Sequence, residues 1–275
     1  MTDEQQTGVD IEIHLLLEAI HLKSGYDFRE YSRSSVKRRI LRRLTLSGLD
    51  NVSAMQHKVL NDESFLDLLL QDFSITVTQM FRDASFYHTV RTRILPILEH
   101  RPFLKIWHAG CATGEEVYSM AILLHEQGLY GKVKIYATDT NMEVIKRAKR
   151  GIYSLDRIRD YTTSYQKAGG NGSFADYYTA SYDMAIMKNH LKKNIVFADH
   201  NLVTDHAFGE MDLIMCRNVM IYFTRSLQNR VLRLFVESLK PGGFLCLGAK
   251  ETIRFLNDSG RFETFNKKEK IFIKK

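Results

Sequence analysis

The chain has 275 residues, of which 44% are hydrophobic and 26% are charged, and its formal net charge is +7. That length allows two domains, and these fractions are typical of a soluble globular protein. The N-terminus lacks the pattern of a secretion signal, and no apolar run approaches the roughly 18 residues of a membrane span, so we expect a cytoplasmic protein without membrane insertion. The positive charge predicts an acidic partner, which could be nucleic acid, a membrane surface or a carboxylate-rich protein.

The three cysteines, Cys111, Cys216 and Cys246, lie far apart in apolar, strand-like segments. Such positions favour buried thiols in a reducing compartment over a disulfide framework or a zinc site. We therefore expect no bound metal.

The first seventy or so residues predict helices only. Segments with apolar residues at helical spacing lie at 11–22, 36–44, 52–60 and 65–70. This pattern predicts an all-α N-terminal domain over residues 1–72. Residues 73–103 are expected to form a linker and the first helix of the next domain.

From residue 104 the pattern changes to strands and helices in alternation. The predicted strands are 104–109, 133–139, 194–199, 211–216 and 244–248, and the predicted helices are 115–127, 142–150 and 227–239. We expect an α/β domain over 104–275 with a doubly wound, mostly parallel sheet that binds its ligand at the carboxyl ends of the strands. The last two segments, 261–265 and 270–275, are too close together for a crossover and predict an antiparallel edge hairpin.

The segment at 153–193 is too long for an ordinary connection between a helix and a strand. They contain a glycine-rich loop at 169–172, a strand-like segment at 174–181 and a second one at 184–190. This predicts a small β-rich insert within the α/β domain.

A buried strand, a tight glycine turn at Gly110 and a helix whose first turn carries Glu115 and Glu116 occupy residues 106–119. A helix N-terminus ordinarily attracts phosphate, but two carboxylates would repel a pyrophosphate. S-adenosylmethionine is an adenosine ligand that carries an ammonium and a sulfonium and no phosphate. The acidic turn therefore predicts S-adenosylmethionine as the cofactor.

Two further positions follow predicted strands and so face the expected ligand crevice. Asp139 ends the second strand, where a carboxylate can accept both ribose hydroxyls or, alternatively, cap the helix that begins near Asn141. The acidic turn nearby favours ribose binding. Arg217 and Asn218 follow the fourth strand, and the hydroxyl of Tyr222 lies four residues on.

The segments GCATGEEVYS at 110–119, CRNVMIYF at 216–223 and LKPGG at 239–243 resemble the chemotaxis protein-glutamate methyltransferase family of the CheR type. The resemblance extends to FSITVTQMFRD at 73–83 and to the arginine-rich N-terminal helix. It implies a fold like that of class I methyltransferases. The implied reaction transfers the methyl group of S-adenosylmethionine to glutamate side chains of chemoreceptors, which yields methyl esters and S-adenosylhomocysteine.

The resemblance also assigns site residues. Thr76, Thr78 and Arg82 match the positions of a linker that closes over the cofactor, and Glu115 or Glu116 matches the acid near the methionine amino group. Asp139 matches the acid that binds the ribose, and Asn201 and Leu202 match the pair beside the adenine. Arg217, Asn218 and Tyr222 match the residues that line the methyl-transfer site. Tyr222 is expected to orient the acceptor, whose carboxylate Arg217 or Arg82 would hold. Taken alone, Asn201 indicates a turn, Arg82 a solvated charge and Tyr222 a core aromatic.

Two positions depart from the family pattern. Thr76 stands where the family usually has Asn, and Ala249-Lys250 stands where it typically has His-Ser. These departures leave the methyl acceptor open. The alternatives are a non-catalytic module that binds S-adenosylmethionine and a methyltransferase acting on nucleic acid, although aromatic and basic residues are not interleaved as base stacking requires.

The second helix carries a basic run, which consists of Arg33, Lys37, Arg38, Arg39, Arg42 and Arg43. Such a run is often only a solvated face. The resemblance implies that it meets the acidic cytoplasmic helices of chemoreceptors. In receptor-tethered members of the family that the chain resembles, a glycine-containing extension of this hairpin goes with binding of a receptor C-terminal peptide. The predicted hairpin of the insert is short and lacks glycine, so we expect an enzyme that does not depend on a receptor C-terminal pentapeptide. We also expect a monomer that does not bind nucleic acid.

Overall fold

The computed structural model describes residues 3–73 and 78–275, with side chains from residue 8 onward. By its internal contacts the chain divides into two units. The first unit comprises residues 1–75 with 221–228, and the second comprises 76–220 with 229–275. The domain boundaries expected from the sequence remain a prediction.

The first unit is helical, as expected. Its helices are α1 (Asp3–Ser24), α2 (Arg33–Ser47), α3 (Val52–Asn61) and α4 (Glu63–Phe73). Their core includes Leu16, Ile20, Ile40, Met55 and Leu69, none of which is exposed to solvent. Helix α2 ends because Gly48 adopts a φ of 61° and its N–H bonds back to the last turn of the helix.

Residues 221–228 belong to the same unit through backbone contacts. The N–H of Ser32 donates to the carbonyl of Tyr222 at 2.6 Å, and the N–H of Thr224 donates to the carbonyl of Glu30 at 2.9 Å. Tyr31 and Phe223 form an antiparallel bridge between these hydrogen bonds. The segment that carries Tyr222 is thereby held against the residues that lead into α2.

The second unit holds the α/β fold. It contains α5 (Ala84–Thr89), a π-helical turn (Val90–Ile94), α6 (Leu95–Leu98), β1 (Leu104–Ala109), α7 (Glu115–Glu126), β2 (Val133–Asp139), α8 (Met142–Arg150), β3 (Ile152–Ser154), α9 (Leu155–Lys167), β4 (Tyr178–Ser181), β5 (Met184–Met187), β6 (Ile195–Asp199) and β7 (Met211–Cys216). Helix α10 (Arg225–Ser238), which begins in the first unit, leads to β8 (Leu239–Leu247), β9 (Phe262–Asn266) and β10 (Ile271–Lys274).

The main sheet has the strand order β6-β2-β1-β7-β8-β10-β9. The first five strands are parallel, and β10 pairs antiparallel with both β8 and β9. The doubly wound, mostly parallel sheet with an antiparallel edge hairpin is therefore confirmed. From β1 the chain builds outward through β2 to β6 and then returns to place β7 on the other side of β1.

Strand β8 begins earlier than the predicted 244–248. It starts at Leu239, directly after α10, and includes Pro241 and two glycines. The register against β7 shifts between Met211 and Leu213, which marks an irregularity opposite the glycines. Alternating patterns do not reveal such a bulge, so the prediction recognised only the apolar half of the strand.

The insert contains two strands in the expected segments, but both are shorter than expected, because Phe174–Tyr177 and Asn189–Leu191 form 3-10 helices. It also contains a helix that the sequence analysis did not predict. Strands β3, β5 and β4 form an antiparallel sheet in that order. Helix α9 is capped by the hydroxyl of Ser154 and buries Ile158, Tyr161 and Tyr165. Among residues 3–73 and 78–275, no helix combines the length and the apolar character that a membrane crossing requires.

Candidate active site

Several expected site residues of the second unit lie at the carboxyl ends of neighbouring strands of the sheet. The turn at Gly110 follows β1, Asp139 ends β2, and Arg217 follows β7. Because β1 and β7 are neighbours at which the strand order reverses, their carboxyl ends form the crevice where open α/β sheets bind ligands. The structure therefore brings together the residues that follow these three strands.

The glycine turn is shaped by backbone contacts. The N–H groups of Gly110 and Cys111 both donate to the carbonyl of Thr138, at 2.9 and 2.8 Å. Gly110 has a φ of 80°, and a Cβ there would lie 2.6 Å from a methyl group of Val219. Only glycine satisfies both conditions, so the turn approaches β2 and the loop after β7 closely.

Asp139 binds the same turn from the end of β2. Its Oδ2 accepts the N–H of Ala112 at 3.0 Å, and its Oδ1 accepts the N–H of Asn141 at 3.1 Å. The helix α8 is capped by Asn141, whose side chain accepts the N–H groups of Glu143 and Val144, so the capping alternative for Asp139 is excluded. Burial raises the pKa of Asp139, and these hydrogen bonds only partly offset that effect.

The two acids at the start of α7 have different partners. Glu115 is buried and accepts hydrogen bonds from the hydroxyl of Thr113 in the glycine turn at 2.6 Å and from that of Tyr161 in the insert at 3.4 Å. The guanidinium of Arg157 lies 3.5 Å away. Burial raises the pKa of Glu115, and the hydrogen bonds do not compensate for it.

Glu116 is turned toward the sheet. Its Oε1 lies 2.9 Å from Nδ1 of His108 on β1, and its Oε2 lies 3.3 Å from the guanidinium of Arg217. Burial on its own would raise the pKa of Glu116, but the hydrogen bond from His108 and the charges of His108 and Arg217 outweigh it and hold the pKa below its ordinary value. Glu116 therefore remains a carboxylate at neutral pH.

Arg217 connects this carboxylate to the segment before α5. Its guanidinium is buried, pairs with Asp83 at 2.6 Å and donates to the carbonyl of Arg82 at 3.3 Å. The ring of Phe86 lies beneath it, with 4.0 Å from the guanidinium carbon to the ring centre. Arg217 thus holds the segment at 82–86 beside the helix that follows the glycine turn. Its expected binding to an acceptor carboxylate stays a prediction.

Glu251 is a site residue that the sequence analysis did not assign. Its carboxylate is buried and accepts the N–H of Asn218 at 2.9 Å, that of Val219 at 3.0 Å and that of Gly248 at 2.5 Å. These hydrogen bonds hold the loop after β7 to the end of β8. The signal available in the sequence was an acid three residues after the glycine that ends an apolar strand.

Backbone strain is concentrated around the crevice. Of the six non-glycine residues with positive φ in the described part of the chain, four lie in loops that border the site: Phe81 (52°), Asp83 (59°), Ala112 (47°) and Asn218 (61°). The other two, Tyr182 (50°) and Lys270 (55°), lie in hairpin turns elsewhere. Such conformations cost free energy, least for Asp and Asn, and persist where surrounding contacts enforce them. Phe81 is enforced by the hydroxyl of Ser119, which accepts its N–H at 2.8 Å.

For five other expected cofactor residues the structure shows less. Thr76 lies outside the described residues, and Thr78 and Arg82 are half-buried. The side chain of Asn201 accepts the N–H of Val203 at 2.9 Å, which fits the turn-forming alternative, and Leu202 is buried. Their contacts with the cofactor stay predictions.

Tyr222 belongs to the first unit. Its ring lies beside the guanidinium of Arg39, with 5.4 Å between the guanidinium carbon and the ring centre. Its expected role toward the methyl group stays a prediction.

The basic run of α2 divides into two sets. Lys37 pairs with Asp10 at 3.0 Å, Arg43 pairs with Asp72 at 2.8 Å, and Arg39 donates to the carbonyl of Phe73. The other three side chains, those of Arg33, Arg38 and Arg42, are exposed. Arg33 and Arg42 still lie 3.5 Å from Asp10 and 3.7 Å from Asp72, in longer ion pairs than those of Lys37 and Arg43. Half of the run is therefore held closely by the helical unit, and the other half is open to solvent.

The chain matches two family models and several curated proteins. The model described as "CheR methyltransferase, SAM binding domain" matches residues 76–271, and "CheR methyltransferase, all-alpha domain" matches residues 11–74. A Pseudomonas putida protein whose name marks it as a candidate methyltransferase, Cher3, is 52% identical over 100% of both chains. Two chemotaxis protein methyltransferases match 88% of this chain. The protein of Borreliella burgdorferi is 31% identical over 88% of its own length, and that of Salmonella typhimurium is 29% identical over 84% of its own length. The chain belongs to the CheR methyltransferase family and is a methyltransferase enzyme that binds S-adenosylmethionine.

Proposed function

We propose that the enzyme methylates glutamate side chains of chemoreceptors, or of a closely related acidic signalling protein, and forms glutamate methyl esters. The observation that carries the proposal is the acidic glycine turn at the β1–β7 crevice, bordered by Arg217 and Asn218. The names of the chemotaxis relatives support the substrate class.

The residues at the crevice fit S-adenosylmethionine. The carboxylate of Asp139 accepts two backbone N–H groups and retains lone pairs for the ribose hydroxyls. Glu116 supplies a negative charge for the methionine ammonium. When bound, the cofactor supplies a methyl group on a positively charged sulfur.

The proposed acceptor needs no general base. A glutamate side chain has an ordinary pKa of about 4.3, so it is already a nucleophilic carboxylate at neutral pH. The work of the protein is then to hold the acceptor carboxylate in line with the methyl group and to exclude water. We assign acceptor orientation to Tyr222 and acceptor binding to Arg217 or Arg82.

The exposed arginines of α2 are the proposed docking residues for an acidic receptor helix. Arg38 and Arg42 are exposed one helical turn apart, and Arg33 lies near the start of the same helix. A positive surface of this kind mainly raises the rate of encounter with an acidic partner. We propose that residues 1–72 form the substrate-docking domain.

Docking through a receptor C-terminal pentapeptide is not part of the proposal. Strands β4 and β5 are joined by Tyr182 and Asp183 alone, with no glycine in the turn. A short hairpin offers little edge to an added peptide strand. The enzyme would therefore find its receptor through the helical unit, acting as a monomer.

The test is methyl transfer from radiolabelled S-adenosylmethionine to purified cytoplasmic fragments of receptors. We expect label that is released by mild base, as a methyl ester requires, and that is insensitive to nuclease. A receptor fragment with its candidate glutamates changed to glutamine is the matched control and should stay unlabelled. Binding of S-adenosylhomocysteine without transfer to any receptor fragment would favour the non-catalytic module, and nuclease-sensitive label would favour a nucleic-acid acceptor.

A further inference from the structure

We propose that His108 is a positioning residue, which holds the carboxylate of Glu116 toward the ammonium group of S-adenosylmethionine. This inference rests on the proposed cofactor site and concerns only cofactor recognition. It is independent of which protein accepts the methyl group.

His108 occupies a rigid place in the sheet. It lies on β1 in register with Ala137 of β2 and Met215 of β7, and its side chain is fully buried. Its Nδ1 is 2.9 Å from Oε1 of Glu116. A ring held between two neighbouring strands restricts the rotamers of any carboxylate that bonds to it.

The hydrogen bond determines where the proton of His108 lies. An ionised Glu116 can only accept, so Nδ1 carries the proton that they share. The other ring nitrogen, Nε2, is buried and has no hydrogen-bond partner among the described residues. The hydrogen bond to Glu116 is therefore the one side-chain contact that the His108 ring makes with a polar group among the described residues, and it fixes the direction of the carboxylate.

Arg217 does not serve Glu116 alone. The cation of Arg217 pairs with Asp83 at 2.6 Å and with Glu116 at 3.3 Å, so two carboxylates share one guanidinium. The shorter contact is with Asp83, which leaves Glu116 only partly neutralised. An ammonium group beside Glu116 would pair with the charge that Arg217 leaves unneutralised.

The geometry also distinguishes Glu116 from Glu115. Glu115 is directed at Thr113 and Tyr161 of the insert side. Glu116 lies between a residue of β1 and the residue that follows β7, where the strand order reverses. The carboxylate at the crevice is therefore the second acid of the helix, and His108 is the residue that directs it.

The test measures binding of two ligands by calorimetric titration. S-adenosylhomocysteine carries the amino acid moiety, whereas 5′-methylthioadenosine has the same nucleoside and thioether but no ammonium. We expect His108→Leu and Glu116→Gln to weaken S-adenosylhomocysteine binding about 10-fold or more, as loss of a charge-assisted contact implies. Both variants should bind 5′-methylthioadenosine within about twofold of the original chain, because that ligand does not reach Glu116.

Two amide variants make the test independent of folding defects in the leucine variant. The side-chain amide of His108→Asn places a donor near the position of Nδ1, whereas His108→Gln places it one methylene further away. We expect Asn to keep S-adenosylhomocysteine affinity within about threefold and Gln to lose it as Glu116→Gln does. Thermal unfolding reports on the fold of each variant.

Equal weakening of both ligands by the His108 variants would show a purely structural histidine and overturn the proposal. So would a Glu116→Gln variant that binds S-adenosylhomocysteine normally, because the ammonium would then be bound elsewhere. Failure to methylate receptor fragments would contradict the proposed substrate, but it would leave these binding results unchanged.

Discussion

The carboxylate of Glu251 accepts the backbone N–H of Asn218 at 2.9 Å and so supports a residue whose φ of 61° is uncommon outside glycine. The same carboxylate accepts the N–H groups of Val219 and Gly248. One buried side chain therefore holds the loop after β7 against the end of β8, at the border of the cofactor crevice.

Glu251→Gln should weaken that loop. The amide presents one oxygen and one N–H group to three backbone donors, so at least one buried donor loses its acceptor, at a cost of about 1–3 kcal/mol. We expect denaturant unfolding to show this loss and S-adenosylhomocysteine affinity to fall about 10-fold. Glu210→Gln, at an exposed position before β7, is the matched control; equal behaviour of the two variants would refute the role of Glu251.

Asp139→Ala should weaken cofactor binding. The ribose hydroxyls would lose charge-assisted hydrogen bonds, each contributing about 1.5–3 kcal/mol. Calorimetric titration with S-adenosylhomocysteine measures the loss directly, with Asp160→Ala on the exposed face of α9 as control. Unchanged affinity in a folded Asp139→Ala variant would remove this residue from the site.

Replacing Arg38 and Arg42 by Glu should slow receptor methylation about 10-fold at low salt, because an attractive surface becomes repulsive. S-adenosylhomocysteine binding should be unaffected. The wild-type rate should also fall with added salt, since surface charges are screened over about 8–10 Å. The control is Arg159→Glu with Lys167→Glu, which makes the same change in net charge on exposed positions of α9. If the methylation rate did not depend on salt and the Arg38/Arg42 variant methylated receptors at the wild-type rate, the basic run would be only a solvated helix face.

Glu126 should make the fold sensitive to acid. Burial on its own would raise its pKa, but hydrogen bonds from Tyr165 and Arg91 outweigh burial and hold the pKa below the ordinary value of 4.5. A depressed pKa stabilises the fold above about pH 4.5, and this contribution is lost as the pH falls through the folded-state pKa. Glu126→Gln should therefore be about 1–3 kcal/mol less stable than wild type at pH 7, with a difference that shrinks toward pH 3. Chemical unfolding across this range is the measurement, and a gap that widens in acid would contradict the assignment.

A receptor C-terminal pentapeptide should not bind with micromolar affinity. The turn residue Tyr182 is 97% exposed and has a φ of 50°, so the β4–β5 hairpin closes tightly and ends in solvent. Calorimetry with the peptide and the complete chain tests this. Micromolar binding that is abolished by substitutions at Ser181, Tyr182 and Asp183 would show that the receptor tether is used.

The strands nearest the crevice were predictable because their signals are local. The bounds of β1, β2 and β7 agree with the structure, since each strand is bounded by turn or polar residues. β7 is buried throughout and β1 at all but one position, whereas β2 alternates between buried and half-buried positions along its first half. Helix α9 was missed although Ile158, Tyr161 and Tyr165 follow helical spacing, because the whole segment at 153–193 was interpreted as a β-rich insert.

The sequence by itself determined the fold class, the glycine turn, the acids beside it and the chemistry that a cation-bearing adenosine ligand requires, because these depend on residue type and short-range spacing. Only the tertiary structure decided which of the two acids bonds to His108, which cations of α2 are held closely by carboxylates, and that Glu251 supports the loop at Asn218. The directions of Glu115 and Glu116 differ although they are adjacent, because one meets the insert and the other meets β1 and β7. Contacts between residues far apart in the chain depend on how strands and helices pack, and local patterns do not encode that packing.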